Sequence, residues 1–247
     1  MLWHDVTISD PAALGTILGV WAHPDDETYL SGGLMAAAIR AGNKVVCVTA
    51  TKGEGGSLDE QRWPSETLAE VREEELIEAL GVLGVSEHRW LGFADGGCEQ
   101  VPLEEGVALV AALLEELRPD SVLTFGPEGM TGHPDHKAVH AWAKTALQRS
   151  SARADLYCAT NTPEWAAEVL PLSAGLDIFF EPDTPPITPR SELSFEYVIP
   201  SDILDLKWRA LLAQKSQTER LIEALGADVL RSFNATEPFV RFPLREM

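Results

Sequence analysis

The chain has 247 residues, 45% hydrophobic and 23% charged, enough for one large domain or two small ones with a sizeable core. These proportions exclude disorder and fibrous repeats. Thirty-nine acidic residues against nineteen basic ones leave a net charge of -20, a field that repels phosphate backbones and anionic membranes and argues against both as partners.

Cys47, Cys98 and Cys158 are odd in number and lack CxxC spacing, so they read as free thiols in a reducing compartment. The N-terminal stretch MLWHDVTISDPAALGT has no basic segment followed by a long apolar core, and so reads as lacking a secretion signal. The uncharged run 11–22 is too short and too glycine-rich to span a bilayer. The expectation is a cytoplasmic protein.

Residues 16–22 (TILGVWA) and 44–51 (KVVCVTAT) predict strands, with a helix over 33–41 between them that ends at Gly42. A strand-helix-strand unit of this length favours parallel pairing through a right-handed crossover. Ser65 opens a long helix towards Leu83, closed by Gly84. A short strand at 89–91, a helix over 103–117, a buried strand at 121–125, a helix over 135–149 and a strand at 156–160 follow. The alternation predicts an α/β, Rossmann-like, mostly parallel sheet with helices on both faces. Ligands of such sheets sit beyond the carboxyl ends of the strands, here segments 22–33, 52–63, 92–97 and 126–133.

The last third reads differently. Segment 181–190 (EPDTPPITPR) holds four prolines and excludes a helix interior or central strand. A strand at 194–199 and an amphipathic helical stretch over 202–225 follow. The expectation is one domain over 1–247, with a core over about 1–160 carrying the site. A C-terminal cover segment, about 161–247, lines the pocket.

Two segments directly after strands concentrate the chemistry. In Ala22-His23-Pro24-Asp25-Asp26-Glu27, a His and an Asp three apart converge on one ion, while adjacent carboxylates repel unless a cation lies between them. One carboxylate then binds the ion and the other stays free to take a proton. The plain alternative is acidic residues placed favourably on a helix N-terminus. Gly132-His133-Pro134-Asp135-His136 nearly repeats the pattern, so His23, His133 and His136 fall in two near-copies of one motif. His140, one turn after His136, makes a rival His136/His140 pair. Two imidazoles and a carboxylate with open positions describe a catalytic site for zinc or iron(II). The α/β pattern favours zinc and hydrolysis, since iron(II) oxygenases more usually place this set on an all-β barrel.

Segment 51–56 is glycine-rich but lacks the phosphate-loop spacing, and reads as a rim over the site. Arg72 among Glu70, Glu73, Glu74 and Glu75 reads as a solvated helix face, and Asp95 between glycines suits a turn. Trp21 packs under the first loop or simply in the core, and Cys47 reads as a buried thiol.

The paired motifs resemble the LmbE-like (PIG-L) family of zinc-dependent deacetylases of N-acetylglucosamine compounds. The likeness continues through residues 51–56 (TKGEGG), the helix of Arg72, residues 91–96 (LGFADG) and, more loosely, 207–217. It implies His23, Asp26 and His136 as ligands of Zn2+, with Fe2+ as the alternative ion, and Asp25 as general base. It implies that His133 steadies the oxyanion in protonated form or protonates the amine, that Asp135 orients an imidazole, and that Arg72 and Asp95 hold substrate. Some members carry a tyrosine where this chain has Thr131, and many a His where it has Gln214. The implied partner is a small N-acetylated amino-sugar substrate. The family often forms oligomers, so a homo-oligomer is an expectation. The alternatives are an amidase acting on a glucosamine-linked thiol conjugate, a metal-dependent sugar-binding module and an iron(II) oxygenase.

Overall fold

A computed structural model describes residues 10–176, 178–181 and 184–244. The first nine residues of the N-terminal stretch read as lacking a secretion signal, and residues 182–183 of the proline-rich segment, lie outside the described residues. One seven-stranded sheet has the order β3 (Glu87–Trp90), β2 (Val45–Thr49), β1 (Ile17–Trp21), β4 (Ser121–Phe125), β5 (Asp155–Ala159), β7 (Thr236–Arg241), β6 (Phe195–Val198). The first five pair in parallel and the last two join antiparallel. Strands β1, β2 and β4 are buried at every residue, as near-continuous apolar runs demand when helices cover both faces.

From β1 the chain runs outward through β2 and β3, then returns to lay β4 on the other side of β1. That reversal makes a switch point between β1 and β4, where the following loops diverge and leave a crevice. Ile17 pairs level with both Val45 and Ser121, so neighbouring strands deliver their loops at similar height. Both His-Pro-Asp loops leave the sheet there.

The helices are α1 (Asp26–Arg40), α2 (Ser65–Leu83), α3 (Leu103–Leu117), α4 (Pro134–Arg149), α5 (Pro163–Ser173), α6 (Ser201–Ala213), α7 (Lys215–Leu225) and α8 (Ala227–Phe233). Three differences from the sequence reading have local causes. α1 begins seven residues before position 33, because its first turn is held by side chains from elsewhere. The stretch over 202–225 breaks at Gln214, whose φ of -89° and ψ of 57° are not helical. Helices α5 and α8 and strand β7 carry no strong pattern; β7 contains Pro238 and is held between β5 and β6 by tertiary pairing.

α1 is tied to the last third by a fully buried ion pair. Lys207 Nζ lies 2.8 Å from Glu237 Oε1 and donates to the Tyr29 carbonyl. Glu237 accepts the N–H groups of Gly33 and Leu34 at 2.8 and 2.7 Å. In a regular helix Gly33 N–H would serve Tyr29 C=O; here the ion pair takes both. A Cβ at Gly33 would sit 2.5 Å from Ile199 Cδ1, so glycine lets α1 pack closely on Ile199.

Candidate active site

The first loop starts where β1 ends. Ala50 and Thr51 N–H donate to the carbonyls of Trp21 and Ala22, which pins the loop to the end of β2. His23 N–H donates to Asp26 Oδ2 at 2.8 Å. Asp25 has φ 121°, a conformation that side chains with a Cβ rarely adopt. Its N–H donates to Glu27 Oε2 at 3.0 Å, and its carbonyl accepts Thr28 and Tyr29 N–H. Glu27 is wholly buried and is held by the Thr28 hydroxyl and by Gln214 Nε2 at 2.8 Å. Strain of about 1–3 kcal/mol at one residue persists only where its surroundings over-determine it, as this network does.

In the second loop His133 caps α4, its Nδ1 accepting Asp135 N–H at 3.2 Å, with Pro134 at the first helical position. His136 Nδ1 donates to the Gly129 carbonyl at 2.9 Å. Its ring stacks on Phe125 at 4.0 Å between centroids, and Phe125 meets the Trp21 ring edge-on at 5.2 Å. Trp21 therefore supports the second loop through Phe125.

The loops converge on two facing imidazoles. His23 Nδ1 lies 3.1 Å from His136 Nε2. Asp26 flanks them, with Oδ2 3.6 Å from His23 and Oδ1 3.4 Å from His136. Behind His23, Nε2 faces Asp95 Oδ1 at 3.0 Å and Asp135 Oδ2 at 3.3 Å. Those carboxylates hold a proton on Nε2, so that Nδ1 is the nitrogen His23 would offer to an ion once neutral; the Gly129 carbonyl holds the His136 proton on Nδ1 and leaves a lone pair on Nε2. Among the described residues, His23/His133/His136 and His23/Asp95/Asp135 each bring three candidate ligand atoms within 4.8 Å of one another.

The charges are strongly coupled. Burial disfavours charge on His23, but hydrogen bonds to Asp135, Asp26 and Asp95 outweigh it and raise the pKa well above the ordinary value. Burial, and then the His23 charge, drop His136 to about 4 despite Asp26. Asp26 falls to about 2, since His136 and His23 overcome its burial. Asp25 rises to about 8: burial dominates, Arg72 opposes it, and Asp26 and Glu27 add to it. Burial and the His23 charge also lower His133.

Arg72 is 4% exposed, not on a solvated face. It donates to the Gly53 and Pro24 carbonyls, and Nη2 lies 3.5 Å from Asp25 Oδ2. Gly53 has φ 67°, and a Cβ there would lie 2.3 Å from Arg72 Nη1. Arg72 thus braces segment 51–56 against the first loop. Asp95 accepts Gly55 N–H at 2.8 Å and faces His23. Asp135 accepts Gly96 and Cys98 N–H at 2.8 and 3.0 Å and is wholly buried. Thr131 Oγ1 is 3.5 Å from His136 Nδ1. His140 stands apart, with Nδ1 donating to the Phe125 carbonyl at 2.8 Å, and belongs to neither metal-compatible group.

A cavity of about 410 Å³ opens over the loops, lined by His23, Asp25, Asp26, His133 and His136, and also by Arg72, Asp95 and Thr131. Its far wall comes from α5, α7 and α8, where no chemical motif marked individual residues. Sequence reasoning also missed Tyr29, whose hydroxyl is buried at the cavity without a partner among the described residues. Among the described residues, no helix is long and apolar enough to cross a membrane.

A family description, GlcNAc-PI de-N-acetylase (PIG-L), matches residues 18–147. The chain is 36% identical to a 1D-myo-inositol 2-acetamido-2-deoxy-alpha-D-glucopyranoside deacetylase of Mycolicibacterium gilvum, over 55% of this chain and 55% of that protein. It thus spans about half the length of that relative. It is 31% identical to the enzyme of the same name from Saccharomonospora viridis, over 81% of this chain and 84% of that protein. N,N'-diacetylchitobiose deacetylase from Pyrococcus horikoshii has the same fold, with a TM-score of 0.63 and 22% identity over 97% of this chain and 88% of that one. With over half its length matched by the family and both His-Pro-Asp loops meeting at one crevice, the chain belongs to the PIG-L (LmbE-like) family.

Proposed function

We propose that the protein is a metal-dependent N-deacetylase that cleaves the acetamide of an N-acetylglucosamine-containing small molecule. The observation that carries this reading is the pair of imidazole nitrogens 3.1 Å apart, each with its proton held on the opposite side of its ring, beside the Asp26 carboxylate. At that distance the two nitrogens share either a proton, which His23 carries in the metal-free protein, or a metal ion that displaces it, and the donor set of His23, His136 and Asp26 fits zinc, with iron(II) as the alternative. Bound there, such an ion supplies a Lewis acid for the amide carbonyl and acidifies water.

The remaining work falls to side chains. Asp25 is not needed as a ligand, and its carboxylate takes the proton from the attacking water. Half-buried beside Asp26 and Glu27, it has a pKa raised to about 8 in the metal-free protein; a cation held by Asp26 would favour its carboxylate form, and the high proton affinity suits it to return the proton it takes to the leaving nitrogen. The sequence reading expected a protonated His133. The lowered pKa supports a neutral ring instead: Nδ1 accepts Asp135 N–H, which leaves Nε2–H to donate to the oxyanion. Asp95 and Asp135 orient His23, and Arg72 holds the loop that carries Asp25.

The activity is proposed for the whole chain as one unit, residues 1–160 supplying the chemistry and 161–247 lining the pocket. The free cysteines support a cytoplasmic setting. An amidase that removes a larger acyl group is the second reading, favoured by the apolar far wall of the cavity. Acetate release from a panel of N-acetylglucosaminyl compounds, including inositol and malate conjugates, is the test. Acetate from at least one member, abolished by chelation and restored by zinc, is the expected result. No acetate from any, at one bound metal per chain, rejects the deacetylase in favour of the amidase.

A further inference from the structure

The cavity has a second half that catalysis does not use, between α5, α7 and α8. α7 sends Gln217, Leu221 and Leu225 to its wall at i, i+4 and i+8, one stripe along a single face, with Arg220 beside it at the cavity. At the near end Gln217 Nε2 donates to the Gly56 carbonyl, next to Gly55, which binds Asp95 beside His23. Leu225 lies eight residues on, about 12 Å along the helix axis. The stripe turns from polar to apolar with distance from the imidazoles.

α5 adds Trp165 and Val169, and α8 adds Leu230 and Phe233. Trp165 Nε1 donates to the Phe233 carbonyl at 3.3 Å, which satisfies its one polar group and leaves the ring as hydrocarbon surface. A bare amino sugar gains little from the Trp165, Val169, Leu221, Leu225, Leu230 and Phe233 part of this wall. Its hydroxyls would exchange water for leucine and phenylalanine and lose hydrogen bonds without replacement.

We infer that the substrate carries a hydrocarbon substituent, an aliphatic chain or an aromatic group, that fills the space between α5, α7 and α8 while its amide lies at His23, Asp25 and His133. This rests on reading the site as an amide hydrolase. Hydrolysis adds water across the C–N bond and yields a carboxylate and an amine. The hydrocarbon sits either on the acyl group that leaves or on the portion that keeps the amine.

Two substrate series separate these sources on the zinc-loaded full chain: N-acyl glucosamines from acetyl to decanoyl, and alkyl N-acetylglucosaminides from methyl to octyl. Amine release is the readout. In one series kcat/KM rises about fourfold per added methylene until the chamber is full, and Leu225→Gln flattens that slope. Cleavage of the short members with no chain-length dependence in either series overturns the inference and leaves the amide hydrolase standing. Cleavage of no member overturns the hydrolase reading. Calorimetric titration of the same compounds then decides the chamber: affinity that rises with chain length supports it, and affinity indifferent to length overturns it.

Discussion

The loops His23-Pro24-Asp25-Asp26 and His133-Pro134-Asp135-His136 are near-copies, leave adjacent parallel strands, and hold the same residue at their third place with opposite surroundings. Asp25, at φ 121°, turns its carboxyl to the cavity, where its charged partner is Arg72 Nη2 at 3.5 Å. Asp135, in the first turn of α4, turns inward and accepts two backbone N–H groups. The histidines diverge likewise. His23 is surrounded by carboxylates and gains a proton readily, while His136 lies on Phe125 and resists one. One backbone dihedral and the identity of the neighbours, not the motif, separate the proposed base from a brace.

The sharpest way to break this comparison is Asp25→Asn. Turnover falls by about 10²–10⁴-fold while metal content by elemental analysis stays at the wild-type level. Retention of more than a tenth of the activity would remove Asp25 as the base. Next, the first loop depends on the last third through α1, so Lys207→Met strands the buried Glu237 and costs about 3–5 kcal/mol in chemical denaturation. An unchanged midpoint would show that α1 needs no such anchor.

Asp135→Asn acts through an imidazole and reduces metal affinity or activity by about 10–100-fold in a metal titration. A loss as large as that of Asp25→Asn would put the two aspartates in the same role. pH separates them further in metal-free protein. Asp25 has an ordinary value of 3.8 and rises to about 8 on folding, so its contribution is complete below 3.8 and is lost as pH climbs towards 8. Asp26, lowered to about 2, contributes fully above 3.8 and loses that contribution as pH falls. Denaturation midpoints of the metal-free wild type should therefore decline between pH 4 and 8 more steeply than those of Asp25→Asn; parallel curves would refute the assignment. The smallest effect is expected from His140→Asn, about 1 kcal/mol from the lost bond to Phe125, with metal stoichiometry unchanged. Metal loss would revive the His136/His140 pair.

Much of the fold was legible because its strands are short apolar runs and its helices carry local stop signals. Residues 121–125 and 103–117 match β4 and α3 to the residue, and Gly84 closes α2 in a left-handed conformation. The segments that failed were those defined by distant partners. β7 contains a proline and lies between two strands, and α1 extends back to Asp26 through Glu27, Gln214 and Lys207. Composition around Arg72 misled for the same reason: its glutamate neighbours suggest solvent, yet the loop carbonyls of Pro24 and Gly53 draw it inside.

By itself the sequence determined the alternating α/β order, the two His-Pro-Asp loops at strand ends and the family likeness, because residue type and spacing act over a few neighbouring positions. Tertiary structure alone decided that β1 and β4 lie side by side at the switch point, and that the two imidazoles face each other at 3.1 Å. It also decided which aspartate is strained open to the cavity and which is satisfied, and it gathered α5, α7 and α8 into an apolar wall. Those features depend on burial and on partners from about forty to more than a hundred residues away, which local sequence does not encode.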